Sequence, residues 1–97
     1  MKTNNSQKYF QEAQKYLVGG VNSPVRSFNA VGGNPLIMKG GDRQELFDYD
    51  GNRFTDYCLS WGALILGHAN RNACLQAKKK LEWGTSFGVT TRDEIEL

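Results

Sequence analysis

Apolar positions along the chain switch period several times, and the switches mark the elements. From Ser6 to Leu17, Phe10, Ala13 and Leu17 recur at helical spacing, with Ser6 at the N-cap and Gly19-Gly20 as the stop. That apolar face is narrow, so this helix is expected to dock on another element. Val21 to Gly33 has no period; Pro24 forces Ser23 out of helical geometry, and a long irregular loop results. Alternation then takes over. Pro35–Lys39, Glu45–Tyr49 and Arg53–Tyr57 read as three strands, with turns at Gly40-Gly41-Asp42 and at Asp50-Gly51. Phe54 and Asp56 fall on one face of the third strand, Thr55 and Tyr57 on the other. After the apolar, glycine-broken stretch Cys58–His68, Asn70 caps a helix that runs to about Trp83, carries Ala73, Ala77 and Leu81 on one side, and stops at Gly84. Thr91 and Glu94 form a capping box for a last helix of which little more than a turn is present, the signature expected of a fragment. The pattern predicts an α+β architecture: an N-terminal helix, a three-stranded antiparallel meander and a following helix. It divides into a helix-and-loop unit over residues 1–34 and a meander-plus-helix unit over residues 35–97.

Composition narrows the options. A chain of 97 residues with 39% hydrophobic positions builds only a small core. The net charge is +2, and the only basic cluster, Lys78-Lys79-Lys80, sits where it complements a helix C-terminus, so no nucleic-acid partner is expected. No apolar run is long enough to cross a membrane, and the N-terminal stretch lacks the apolar core of a secretory signal; a cytoplasmic location is the expectation. Cys58 and Cys74 have no CxxC spacing and one histidine for company, which argues against a metal site and predicts buried reduced thiols.

The residues alone make no catalytic constellation. His68 is read as a structural or surface histidine, and Asp48, Asp50 and Asp56 as solvated turn carboxylates. Two places carry chemical suggestion. Arg26, on the proline-stiffened loop Asn22-Ser23-Pro24-Val25-Arg26, is either an exposed loop arginine or a bidentate fork for a carboxylate. Trp61, in Ser60-Trp61-Gly62, is either a core residue or the wall of an apolar pocket.

Five strings in order, GGVNSPVRSF (Gly19–Phe28), VGGNPL (Val31–Leu36), DYDGNRFTDY (Asp48–Tyr57), SWGALILGH (Ser60–His68) and GTSFG (Gly84–Gly88), resemble the start of the glutamate-1-semialdehyde 2,1-aminomutases, a family related to the class III aminotransferases. The resemblance runs from about residue 6 to the end. Where relatives have a proline after the Gly-His pair, this chain reads His68-Ala69-Asn70-Arg71, and Asn70 replaces the proline as a helix start signal. The resemblance implies part of the small domain of a fold-type-I pyridoxal-phosphate enzyme. It also implies a homodimer that isomerises glutamate 1-semialdehyde to 5-aminolevulinate, the tetrapyrrole precursor, using pyridoxal or pyridoxamine 5'-phosphate. Carried over, Ser23 and Arg26 match substrate contacts, Arg26 near the carboxylate, and Trp61 matches the wall of the substrate pocket. The Schiff-base lysine and the main phosphate loop match nothing here, and Lys78, Lys79 and Lys80 do not match that lysine. The segment alone is therefore expected to hold no cofactor and to be inactive. Another class III aminotransferase, or a non-catalytic α+β module that docks on a partner, are the alternatives.

Overall fold

The computed structural model describes all 97 residues. Helix α1 spans Asn4–Ala13, and two short 3-10 turns follow at Val18–Gly20 and Pro24–Arg26. The sheet comprises β1 (Met38–Asp42), β2 (Glu45–Asp48) and β3 (Arg53–Thr55), antiparallel in the order β1-β2-β3. Helix α2 spans Arg71–Leu81 and α3 spans Arg92–Glu96. The architecture is α+β, as the periodicity predicts.

Strand β1 starts three residues later than expected. Gly40, Gly41 and Asp42 are strand, not turn, and pair with Phe47, Leu46 and Glu45; a bulge at Lys39 absorbs the offset to Met38↔Asp48. The turn is at Arg43-Gln44, with Arg43 at φ +51°. On β2 and β3, Leu46 faces Phe54, while Glu45↔Thr55 and Phe47↔Arg53 share the opposite face. There the Arg53 guanidinium pairs with Glu45 and lies over the Phe47 ring, 5.4 Å from its centroid.

Helix α1 is joined to the sheet by polar contacts. Ser6 is not its N-cap. It lies inside the helix, 1% exposed, and its hydroxyl accepts the Ile37 N–H at 3.1 Å. The free N–H groups of the first turn are taken from a distance instead: those of Asn5 and Ser6 both donate to the Asp50 carboxylate at 2.8 Å. The Asn5 amide donates to the Tyr49 carbonyl at 2.9 Å, and Tyr9 stacks at a tilt on Tyr49, 4.8 Å between centroids. Desolvation beside the helix pushes the Asp50 carboxyl up, but the Asn5 and Ser6 N–H groups, with the Ser6 side chain, outweigh it and hold the group below the ordinary carboxylate range.

The expectation that the aspartates are solvated is overturned. Asp48 is 2% exposed and accepts from the backbone N–H of Asp50 and Asn52 and from the Asn52 amide, at 2.9, 2.8 and 2.6 Å. A carboxylate with three donors organises the β2–β3 turn from inside it. The two thiols also differ from expectation: Cys58 and Cys74 are both exposed and free, because their loop and helix lie on the surface of the segment.

Pro35 apart, no apolar side chain is buried. The radius of gyration is 16.8 Å, against about 12.5 Å for a compact domain of this length. Tyr57, Trp61, Ile65, Trp83, Val89 and Ile95 all stand open. Helix α2 has its expected cap, the Asn70 side chain accepting the Ala73 N–H at 3.1 Å, yet buries no residue. The cap signals of α2 and α3 are satisfied; a tertiary core within the segment is not formed.

Candidate functional site

Ser23 and Arg26 flank a turn with local causes. Ser23 is extended at φ −151°, as a residue before proline must be, and Pro24 opens the 3-10 turn. The Ser27 N–H and hydroxyl then both donate to the Pro24 carbonyl, at 3.1 and 2.7 Å. Arg26 leaves this turn exposed and pairs with no carboxylate of the segment.

Trp61 is not a core residue; it is 78% exposed. Leu59, Ser60 and Trp61 have φ of +44°, +54° and +60°. Three consecutive left-handed residues with side chains cost about 1–2 kcal/mol each, so something must hold them. At the near end of the loop the Asp56 carboxylate accepts the N–H groups of Cys58 and Leu59 at 2.8 and 3.0 Å. At the far end it meets His68 Nε2 at 2.7 Å. The Asp56 and His68 side chains are only 9% and 16% exposed. The His68 hydrogen bond, then those from Leu59 and Cys58, hold the Asp56 carboxyl below its ordinary range against the opposing cost of desolvation.

His68 is seated on the sheet as well. Its backbone exchanges two hydrogen bonds with Arg43, at 2.7 and 2.9 Å. A Cβ on Gly41 would stand 2.7 Å from the His68 ring, and a Cβ on Gly67 would stand 2.6 Å from the Arg43 carbonyl oxygen. Gly67 also has φ +76°. Gly41 leaves room for the histidine ring, and Gly67 meets both a left-handed backbone and the close approach of Arg43. The expectation of His68 as a structural or surface histidine, and of Asp56 as a solvated turn carboxylate, misses this pair. The available signal was that Asp56 shares the Phe54 face of its strand, the face on which Gly41 leaves room.

The largest of the four main clefts, about 810 Å³, opens between α2 and α3 and is lined by the Gly84–Gly88 loop, Leu81, Thr91 and Asp93. Lys80 at its rim pairs with Asp93 at 2.7 Å. Ser23, Arg26 and Trp61 line none of the four main clefts, and no hydrogen bond joins them to one another. Every lysine is exposed, and only Lys79 and Lys80 border a main cleft. These residues do not make a cradle for a pyridoxal phosphate, which needs an enclosed lysine and a phosphate site. No three His, Cys, Asp or Glu side chains gather as metal ligands, and no helix is long and apolar enough to cross a membrane.

No protein-family model matches the chain. Single proteins match it closely. Over all 97 residues it is 53% identical to the glutamate-1-semialdehyde 2,1-aminomutase of Persephonella marina and 52% identical to that of Thermodesulfovibrio yellowstonii, spanning 23% of each. Over 92 residues it is 52% identical to that of Bacillus subtilis, spanning 21%. Among solved structures, a transaminase with PLP bound superposes on 99% of the chain with a TM-score of 0.84 at 28% identity, the chain covering 22% of it. An omega-transaminase from Sphaerobacter thermophilus superposes on 92% with a TM-score of 0.77, also at 28% identity, 20% of it covered. Along its whole length the chain is thus similar in sequence to glutamate-1-semialdehyde 2,1-aminomutases and in backbone to transaminases, and it spans less than a quarter of the length of those relatives.

Proposed function

We propose that the chain is the N-terminal segment of an enzyme that converts glutamate 1-semialdehyde to 5-aminolevulinate in tetrapyrrole synthesis. The enzyme works as a cytoplasmic homodimer, and this segment contributes part of its small domain, residues 1–34 as the N-terminal helix and substrate-side loop and residues 35–97 as the meander plus helix that carries Trp61. The observation that carries the reading is identity of 53% with an aminomutase along every residue of the chain. Pyridoxal or pyridoxamine phosphate, held by other parts of the enzyme, supplies the electron sink for moving the amino group.

The work of this segment is recognition. Arg26, fixed on its proline turn and free of any carboxylate partner here, offers a planar fork to the substrate carboxylate. Ser23, one residue before the turn, offers a hydroxyl to the same polar end. Trp61 supplies an apolar wall that keeps water from the carbon chain.

The test replaces the corresponding segment of a full-length aminomutase with residues 1–97 and compares Arg26→Ala and Arg26→Lys. Hydrogen bonds to a charged group contribute about 1.5–3 kcal/mol, so Arg26→Ala should lower kcat/KM by roughly 10- to 150-fold, mostly through KM, with lysine recovering part. An unchanged KM for both variants would refute the assignment. The transaminases among the solved structures favour a second reading at the level of fold, an aminotransferase acting on another amino acid or amine. A chimaera that transaminates such a substrate but does not isomerise the semialdehyde would select it.

A further inference from the structure

We propose that Asp56 and His68 are a positioning pair for the substrate pocket: they close the two ends of the 57–67 loop on the sheet and so hold Trp61 rigidly in a backbone state it would otherwise leave. The proposal rests on the reading of Trp61 as a pocket wall. Four observations carry it. The loop holds three successive non-glycine residues at positive φ, ending at Trp61 itself. Its entry is held by the Cys58 and Leu59 N–H groups donating to Asp56. Its exit is held by the 2.7 Å contact of His68 Nε2 with the same carboxylate. And the histidine is fixed in turn by two backbone hydrogen bonds to Arg43, while Gly41 leaves room for its ring and Gly67 lets the Arg43 backbone come close.

One carboxylate thus satisfies both ends of a strained loop while the loop's large aromatic side chain points to open space. Strain of this kind persists only where the surroundings over-determine it, and it gathers at binding sites. Internal bonds within the loop, Gly62 N–H to the Cys58 carbonyl at 3.0 Å and Leu64 N–H to the Leu59 carbonyl at 3.1 Å, keep its shape but do not tie it to the sheet. That tie is made by Asp56, His68 and the Arg43 pairing. A positioned wall binds substrate without first losing its own conformational freedom; a loose one does not.

The experiment is a double-mutant cycle in the full-length chimaeric enzyme, measuring KM and kcat for His68→Ala, Trp61→Ala and both together. His68→Ala should raise KM by about tenfold with kcat changed much less, since misplacement of a positioned group falls on binding first. In the Trp61→Ala background the same change should alter KM less than about twofold, because the pair then has nothing to position. His68→Gln, which can place an amide donor near Nε2, should recover most of the loss. Ser60→Gly covers the case in which His68→Ala does not fold. It relaxes a left-handed position and leaves Asp56 and His68 in place, so KM should rise while the unfolding temperature holds or increases. Additive effects of His68→Ala and Trp61→Ala, or no KM change in His68→Gln, His68→Ala and Ser60→Gly alike, would overturn the positioning role. A normal KM in Trp61→Ala alone would instead overturn the pocket-wall reading beneath it.

Discussion

A polypeptide of residues 1–97 alone should not fold cooperatively. The surface area of the segment decides this. It exposes 8319 Å² for 10.9 kDa, whereas a folded monomer of that mass exposes about 5,600 Å². The excess is roughly 2,700 Å², and if a little over half is apolar, as on ordinary protein surfaces, about 1,500 Å² of apolar surface is left in water. At about 25 cal/mol per Å² that is on the order of 40 kcal/mol of hydrophobic stabilisation forgone, several times the 5–15 kcal/mol net stability of a typical domain. What remains is a polar joint between α1 and the hairpin turn, a three-stranded sheet and two capped helices. Such a set should melt gradually. The assay is urea unfolding of the isolated segment at micromolar concentration, followed by far-UV circular dichroism, with amide exchange read on the same sample and sedimentation reporting its mass. We expect a sloping, non-sigmoidal signal and little protection outside β2 and β3. A monomer that unfolds in a single sigmoidal transition with an m-value of about 1 kcal/mol/M or more would refute the reasoning.

Two further predictions concern joints inside the segment and belong to the full-length chimaera. The tie between Asp50 and the start of α1 should be complete above the unfolded carboxyl value of 3.8 and be lost only as pH falls through the lower folded value, because the shift is downward. Amide exchange at Asn5 and Ser6 on descending pH checks this, and loss of protection above 3.8 would contradict it. Gly67→Ala should destabilise by about 2–4 kcal/mol, combining a left-handed alanine with damage to the Arg43–His68 backbone pair. Gly51→Ala, at φ +82° with open space around its Cβ, should cost only about 1–2 kcal/mol; thermal unfolding separates the two, and equal losses would remove the close-approach argument.

The sequence was legible where the cause is local and misleading where it is not. Asn70 caps α2, Thr91 and Glu94 begin α3 with the Thr91 N–H donating to Glu94 Oε2 at 2.7 Å, and Asp50-Gly51 lies in a hairpin turn. Each of these is decided within a few residues. Gly40-Gly41 has the composition of a turn, but Gly41 is strand paired with Leu46, and its missing side chain leaves room for a histidine 27 positions later in the chain. Ser6 has the composition of an N-cap, but the cap is a carboxylate 44 residues away.

The three aspartates press the same point toward function. Between residues 48 and 56 each carboxylate has a different partner set: the turn's own backbone for Asp48, the start of α1 for Asp50, and the Trp61 loop with His68 for Asp56. All three fall within nine residues of one hairpin, and their residue type alone does not separate them. What does separate them is which neighbour the hairpin brings to each. The meander is therefore more than a scaffold between two candidate binding elements. Through Asp50 it anchors the helix that precedes the Arg26 turn, and through Asp56 it anchors the loop that presents Trp61. No hydrogen bond joins Arg26 to Trp61, yet each hangs from the same nine-residue stretch of chain. That arrangement is what the proposed recognition role of Arg26 and Trp61 requires: one well-tied stretch of chain from which both are held.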